Sequence, residues 1–237
     1  MIPYIIINGV VSKNIEGLLI QSLPPISKPK IRTSTEEIDG RDGDIVTTLG
    51  YGAYDKTFSI GLKGDYNVDD VIEYFNTSGK ITFSNELDKY YKFATYNKID
   101  FNRLVRFKTA NITVHVQPFK YSLDEPPITD ISGAYDTYLS VRNTGNIYSK
   151  PKLIINGSNT INVYLGNTQI FNINLSAAGE TIIIDAESMN ATDEAGNYLN
   201  RQVTGDYDNF RLATGINELK ITGYKTSVTL ENYSRWI

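Results

Sequence analysis

Paired carboxylates are the first residues in this chain that could do chemistry. Asp185 and Glu187 follow the apolar residues 182–184, so alternation places both side chains on one face at the end of a predicted strand. A glycosidase uses two carboxylates that flank the scissile bond. A solvated strand end or a weak cation site contains the same two residues. The pair is therefore compatible with a hydrolase function, but it does not indicate one.

The single histidine is the next candidate. His115 alternates with Val114 and Val116, which places it on the polar face of a predicted strand. A histidine-dependent triad also needs a nucleophile, and the chain has no Gly-x-Ser-x-Gly elbow and no cysteine. We expect His115 to be a surface or interface histidine.

Residues 39–44, Asp-Gly-Arg-Asp-Gly-Asp, superficially suggest a calcium loop. They lack the alternating acidic ligands and the closing Glu that an EF-hand requires. A tight turn between strands at 30–38 and 45–49 explains the same residues. The chain also has no Walker-type phosphate loop, and the absence of cysteine excludes thiolate metal sites. We predict no catalytic residue, no cofactor, no metal site and no enzymatic activity.

Basic and aromatic residues interleave over positions 89–108, as they do in single-stranded nucleic-acid sites. Up to Asp124 the chain holds about 15 basic and about 15 acidic residues, so this part has no basic excess. A β-hairpin with one buried face produces the same alternation. We therefore expect no specific nucleic-acid partner.

The elements that must position these residues are mainly strands. The chain has 237 residues, 41% of them hydrophobic, and its 17 Tyr favour β-structure. One segment differs, because Val68, Val71, Ile72 and Phe75 have helical spacing after an Asn67 N-cap. The sequence therefore predicts a mainly β fold with one short helix.

Short apolar or alternating runs give the predicted strands. In the first part they are 3–7, 18–23, 30–37, 57–63, 80–84, 90–96 and 111–117. In the second part they are 138–141, 152–155, 161–165, 170–175, 181–185, 218–222 and 227–231, at the spacing of a sandwich. Predicted turns are Asn8-Gly9, Asn156-Gly157 and Gly166-Asn167. Residues 186–215 contain no strong strand and are predicted to be a long loop.

Charge and proline content divide the chain into two predicted domains, 1–124 and 125–237. Residues 118–133 include Pro126-Pro127 and have the composition of a linker. From Glu125 onward there are about 8 basic and about 12 acidic residues, so the whole net charge of −4 lies in the second domain.

Six short motifs occur in the order found in one known family. They are Leu23-Pro24-Pro25-Ile26 with the Gly40-Arg41-Asp42-Gly43 turn, residues 141–155, the apolar-Asp185-x-Glu187 run, Gly205-Asp206-Tyr207, residues 215–219 and the terminal residues 234–237. Over its full length the chain resembles the distal tail proteins of long-tailed, non-contractile phages, particularly those that infect Gram-positive hosts. Thr214 departs from the pattern, since the family often has Pro there.

The resemblance implies a ring-forming first domain, a β-barrel or sandwich like that of tail-tube proteins, and a galectin-like β-sandwich as the second. Such proteins form hexameric rings that join the tail tube to the baseplate hub and the host-recognition apparatus. The implied partners are further copies of the chain, the tail tube protein, a tail-associated hub or lysin protein and receptor-binding proteins. The implied location is the distal end of the virion tail, after synthesis in the bacterial cytoplasm and without membrane insertion.

Within this resemblance, Arg41 and Asp42 are the candidate site residues. We expect them to shape a turn near subunit contacts, and a local salt bridge between them is the alternative. A second function also stays open, in which a carbohydrate-binding or adhesin protein recognises the cell surface through the second domain.

Overall fold

The computed structural model describes residues 2–94 and 101–237 and shows a mainly β protein. Strands account for 57% of it, the sheets are curled, and one is nearly closed into a barrel. This confirms the predicted fold class. The chain divides into two compact units, Met1–Leu123 with Ile237, and Asp124–Trp236. None of the described helices is long and apolar enough to cross a membrane.

The first unit contains nine strands and two helices among its described residues. The strands are β1 Ile5–Ile7, β2 Val10–Val11, β3 Leu18–Ser22, β4 Ile31–Glu37, β5 Asp44–Tyr51, β6 Tyr54–Leu62, β7 Gly79–Phe83, β8 Lys89–Ala94 and β9 Thr109–Ser122; the helices are α1 Val68–Phe75 and α2 Phe101–Phe107. Seven strands of this unit belong to one sheet and follow the order β2-β1-β7-β8-β9-β6-β3, whereas β4 and β5 pair with each other and with no other described strand.

The predicted helix is confirmed as α1. The side chain of Asn67 accepts a hydrogen bond from the backbone N–H of Asp69 at 3.0 Å, which satisfies one of the free donors of the first turn. Val71 and Phe75 are buried, and the Phe75 ring lies 6.2 Å from that of Phe58 in the sheet. The apolar stripe of α1 thus closes the core of this unit, as its spacing predicts.

The structure adds a second helix, α2, where the sequence predicts a β-hairpin. The spacing of Phe101, Leu104 and Val105 was the available signal, because it is i, i+3, i+4. Leu104 is completely buried. Residues 95–100 of the predicted basic and aromatic segment lie outside the described residues.

The second unit contains nine strands in the described chain. They are β10 Ile128–Asp130, β11 Asp136–Asn143, β12 Lys152–Leu165, β13 Thr168–Asp185, β14 Asn190–Thr192, β15 Val203–Gly205, β16 Gly215–Thr222, β17 Lys225–Glu231 and β18 Arg235–Trp236. β12 and β13 form one long antiparallel ribbon. The first half of β12 also pairs with β17 and its second half with β16. The ribbon therefore takes part in two sheet portions that enclose a common core of residues such as Ile155, Val163 and Phe171.

The predicted turn at Asn156-Gly157 is wrong, because these residues lie inside β12. A bulge falls between Gly157 and Asn159. A Cβ on Gly157 would come within 2.6 Å of the carbonyl oxygen of Tyr224, so the glycine allows a close approach of two backbones. The turns at Asn8-Gly9 and Gly166-Asn167 are confirmed.

The predicted linker is shorter than residues 118–133. β9 runs through Pro118 to Ser122, and β10 pairs with β17. β8 pairs with β9 at Tyr91–Lys120 and next at Phe93–Val116. One residue lies between these pairings on β8 and three lie between them on β9, so β9 bulges there. The missing N–H of Pro118 falls within this bulge, where it breaks no regular ladder bond.

The predicted long loop at 186–215 is folded rather than open. It contains β14, β15 and two short 3₁₀ turns, Asn200–Gln202 and Tyr207–Asn209. Phe210 and Leu212 are completely buried in the core of the second unit. The strand signals in this part of the sequence are weak because β14 and β15 are each only three residues long.

Candidate assembly surface

The hairpin formed by β4 and β5 is the most unusual feature of the first unit. Every residue of β4 is exposed, and most residues of β5 are exposed too. Within residues 2–94 and 101–237, neither strand pairs with a third strand. An isolated two-stranded hairpin is marginally stable in water at best. This hairpin therefore has two free faces and two free edges that another chain can cover.

The sequence explains why a hairpin forms here. β-Branched residues such as Thr33, Thr35, Val46 and Thr47 favour extended backbone. At the base, the N–H of Gly52 donates to the carbonyl of Lys30 at 2.8 Å. The ring of Tyr51 packs edge-on against that of Phe119 at 5.4 Å, which joins the base of the hairpin to β9.

Arg41 and Asp42 lie at the tip of this hairpin, between β4 and β5. The N–H of Arg41 donates to the carbonyl of Ile38 at 3.1 Å, and Gly40 and Gly43 adopt φ of +81° and +79°. Glycine tolerates such left-handed conformations without steric cost. The structure thus confirms a tight turn at residues 39–44.

The alternative interpretation of this pair, a local salt bridge, is wrong. Neither the guanidinium of Arg41 nor the carboxylate of Asp42 makes an ion pair with any described residue. Both side chains are exposed at the tip. They are therefore free to contact another molecule.

Apolar side chains accompany these charges. Val46 is 61% exposed and Leu49 is 55% exposed, although both belong to a regular strand. Ile31 at the base and Ile38 near the tip are also exposed. Four exposed apolar side chains on one hairpin thus give it apolar surface that assembly can cover.

His115 lies on the outward side of β9, as predicted. Its Nδ1 is 2.7 Å from Oδ1 of Asp55 on the paired strand β6. Both side chains are substantially exposed. The pair is thus a cross-strand contact between two neighbouring strands of the sheet.

The carboxylate of Asp185 closes the turn that follows β13. Oδ1 of Asp185 accepts hydrogen bonds from the N–H groups of Glu187 at 2.8 Å and Ser188 at 3.2 Å. This is the pattern of an Asx turn, which ends β13. The carboxylate of Asp185 therefore has a structural role. Within residues 2–94 and 101–237 no group of three or more His, Cys, Asp or Glu is placed to hold a metal ion.

Comparison with solved structures finds chains that share this mainly β fold. The chain matches the crystal structure of the SPP1 Dit protein, described as a paradigm of the hub adsorption apparatus in phages that infect Gram-positive bacteria. The TM-score is 0.61 at 16% identity over 100% of both chains.

A second match is the baseplate of phage P2 in its activated conformation with calcium. Its TM-score is 0.54 at 11% identity, over 98% of both chains. No protein-family model matches the chain, and no curated protein matches it significantly. The resemblance to phage distal tail proteins is thus confirmed at the level of the fold, over the full length of the chain.

Proposed function

We propose that this chain is a non-enzymatic structural component of a phage tail tip. In this role the first unit assembles into a hexameric ring that connects the tail tube to the hub and to host-recognition proteins. The β4–β5 hairpin is the observation that supports the proposal most strongly, because it has the exposed edges and apolar side chains of a subunit contact. The named functions of the two structural neighbours, a hub adsorption protein and a baseplate, agree with it.

A ring also fits the kind of contact that one hairpin can make. A hairpin projecting from one subunit meets a different surface on the next, which is a heterologous contact. Such contacts close into a ring when the rotation between subunits allows it. Arg41 and Asp42 then lie at or near the contact, as the sequence predicts.

Light scattering coupled to gel filtration tests this proposal with the full chain at micromolar concentration. We expect a species with six times the mass of the 26.6 kDa chain, and a ring in negative-stain images. The matched control replaces residues 37–44 by Asn-Gly, which joins the paired residues Glu36 and Ile45 through a two-residue turn. The control should stay folded and monomeric. A wild-type chain that is monomeric at every concentration would contradict the proposal.

A second function, glycan binding by the second unit, is favoured by a row of side-chain amides on β12 and β13. Asn162 accepts hydrogen bonds from Gln169 at 3.1 Å and from Asn172 at 2.7 Å, and Asn174 donates to Asn172 at 3.0 Å. Tyr164 lies on the same face of β12 as Asn162. Amides that donate and accept, beside an aromatic ring, suit the hydroxyls and apolar faces of sugars.

A glycan array probed with the full chain tests this second function. We expect binding that disappears in Asn162→Ala and persists in Tyr198→Ala, a change at an exposed residue in 186–215. Binding that is lost only in Tyr198→Ala would move the site to that segment. Absence of binding to any glycan would overturn this function.

A further inference from the structure

The first unit separates its charges into two regions of opposite sign. Residues 1–123 contain 15 Lys and Arg and 14 Asp and Glu, so the unit is close to neutral. Residues 36–44, here called the acidic tip, hold five of the carboxylates and one arginine, a net charge of −4. The remainder of residues 1–123 therefore has a net charge of +5. An almost neutral unit thus consists of an acidic projection on a basic body.

The charges of the acidic tip have no partner in the part of the chain that the structure describes. Its carboxylates make no ion pair and no side-chain hydrogen bond with any residue in the described ranges; they are Glu36, Glu37, Asp39, Asp42 and Asp44. Like charges this close together repel one another. The exposed side chains of Ile38 and Val46 lie among them. The tip thus combines strong negative charge with apolar surface.

A surface of opposite character lies where β6 ends and β9 begins. We call it the basic end and define it by Lys63, Val105, Arg106, Phe107 and Lys108. Gly61 pairs with Thr109, and the N–H of Leu62 donates to the carbonyl of Lys108 at 3.0 Å. This pairing brings Lys63 close to the end of α2 and to Lys108.

Two of the three cations of the basic end contact aromatic rings. Nζ of Lys108 lies 4.3 Å from the centre of the Tyr66 ring and bonds to its hydroxyl. The guanidinium of Arg106 lies 5.3 Å from the ring of Phe107, which is 60% exposed. Lys63, Arg106 and Lys108 form no ion pair with any described residue, and neither does the neighbouring Asp65.

We propose that the acidic tip of one copy docks on the basic end of the next copy. The two surfaces are complementary in charge and in apolar character. In this contact the carboxylates face the cations, and the side chains of Ile38 and Val46 face those of Val105 and Phe107. Opposite charges on different parts of one chain favour a head-to-tail contact that repeats around a ring. This inference rests on the proposed ring and names the surface that receives the hairpin. It also makes assembly sensitive to salt, since such contacts are screened by ions.

Disulfide trapping tests the contact directly, because the wild-type chain has no cysteine. The full chain with Ile38→Cys and Phe107→Cys keeps every charge of both surfaces. Under mild oxidation we expect a ladder of covalent oligomers on non-reducing gels. The matched control combines Ile38→Cys with Tyr198→Cys, an exposed position in the second unit, and should give no ladder. Equal ladders from both pairs would overturn the proposal.

Charge reversal gives a second, independent measurement. Reversing three charges on one surface should raise the concentration at half assembly by about tenfold or more. The changes are Lys63→Glu, Arg106→Glu and Lys108→Glu at the basic end, or Asp39→Lys, Asp42→Lys and Asp44→Lys at the acidic tip. The first set changes the net charge of the basic end from +3 to −3, and the second changes that of the acidic tip from −4 to +2. A chain with all six changes has reversed charges on both surfaces, so we expect it to assemble again. This recovery would show that the loss in each triple variant is electrostatic and not a failure to fold.

The outcomes separate this contact from the proposed function. If the wild-type chain forms rings, but the Ile38→Cys, Phe107→Cys pair gives no ladder and charge reversal leaves assembly unchanged, the contact is overturned and the ring stands. A wild-type chain that never assembles would overturn both. Assembly that charge reversal on one surface weakens and the six-fold variant restores would support both.

Discussion

Two long hairpins in this chain have the same antiparallel pairing and opposite surroundings. In β12–β13 alternate residues are buried, among them Ile155, Val163 and Phe171. In β4–β5 the strand β4 is exposed along its whole length. The first hairpin gains its stability from the core of its own unit. The second lacks such a core, so its conformation depends on its turn, on its base and, in our proposal, on a neighbouring copy.

The acid-rich turns of the two units differ in the same way. In the second unit, Asp130 and Asp193 accept backbone hydrogen bonds from their own turns. The hydrogen bonds from Ser132 and Thr137 lower the pKa of Asp130, and those from Asn197 lower the pKa of Asp193. At the tip of β4–β5, Asp39 and Asp42 accept none among the described residues. The carboxylates of Asp130 and Asp193 thus stabilise turns, whereas those of Asp39 and Asp42 are available for a partner.

The largest expected difference between the hairpins is in hydrogen exchange. Amides in the centre of β12–β13 should exchange only through unfolding of the unit, while those of β4–β5 should exchange through local opening. We expect the free energy of opening to differ by roughly 5 kcal/mol in the monomer. Hydrogen exchange followed by mass spectrometry measures this difference. The two samples are the control in which Asn-Gly replaces residues 37–44 and a wild-type sample dilute enough to be monomeric. Equal protection of both hairpins would contradict the comparison.

A buried aromatic residue provides the next largest effect. Phe171 is completely buried and its ring lies 5.4 Å from that of Phe210. Phe171→Ala should lower the free energy of unfolding of the second unit by about 4 kcal/mol, because it leaves a cavity. The matched change in the other hairpin, Val46→Ala, should stay within about 0.5 kcal/mol in the monomer. Urea denaturation followed by circular dichroism checks both values.

A glycine in each hairpin region gives a smaller contrast. Gly157→Ala places a Cβ 2.6 Å from the carbonyl oxygen of Tyr224, so backbone must shift. We expect a loss of about 2 kcal/mol in unfolding free energy. Gly52→Ala at the base of β4–β5 meets nothing nearer than the Arg32 side chain at 3.5 Å. That control should be nearly neutral, and an equal loss in both variants would refute the close approach at Gly157.

The smallest effect concerns pH. Because its folded-state pKa is lowered, Asp130 stabilises the second unit above the usual carboxyl pKa of 3.8. That contribution is lost as the pH falls below about 4 and through the lowered folded-state pKa. Asp130→Asn should therefore flatten the dependence of Tm on pH between 6 and 3. Asp42→Asn at the exposed tip is the control, and a similar flattening there would show that the two carboxylates do not differ.

Several parts of the fold and site could be predicted from local sequence. Asn67 and the apolar stripe predict α1, because capping and helical spacing act within a few residues. Asn8-Gly9 predicts its hairpin, since φ is +48° and +87° there. The alternation around His115 predicts its outward side, and Arg41 and Asp42 do form a turn.

Other parts depended on long-range contacts that local patterns do not encode. Asn156-Gly157 has the composition of a turn, yet pairing with β17 on one side and β13 on the other extends β12 through it. Tertiary packing overrode local preference at this place. Residues 101–107 are a different case, because the i, i+3, i+4 spacing of Phe101, Leu104 and Val105 is a local signal for the observed helix.

The sequence by itself determined a mainly β chain without cysteine, the helix at Asn67, and an acidic Gly-rich turn at residues 39–44, because these follow from composition and short-range backbone preferences. Only the tertiary structure decided that β4 and β5 pair with no other described strand, and that the cations Lys63, Arg106 and Lys108 gather where β6 ends and β9 begins. Strand partners and charge clusters join residues far apart in the chain, so their energies depend on the folded arrangement and not on spacing along the sequence.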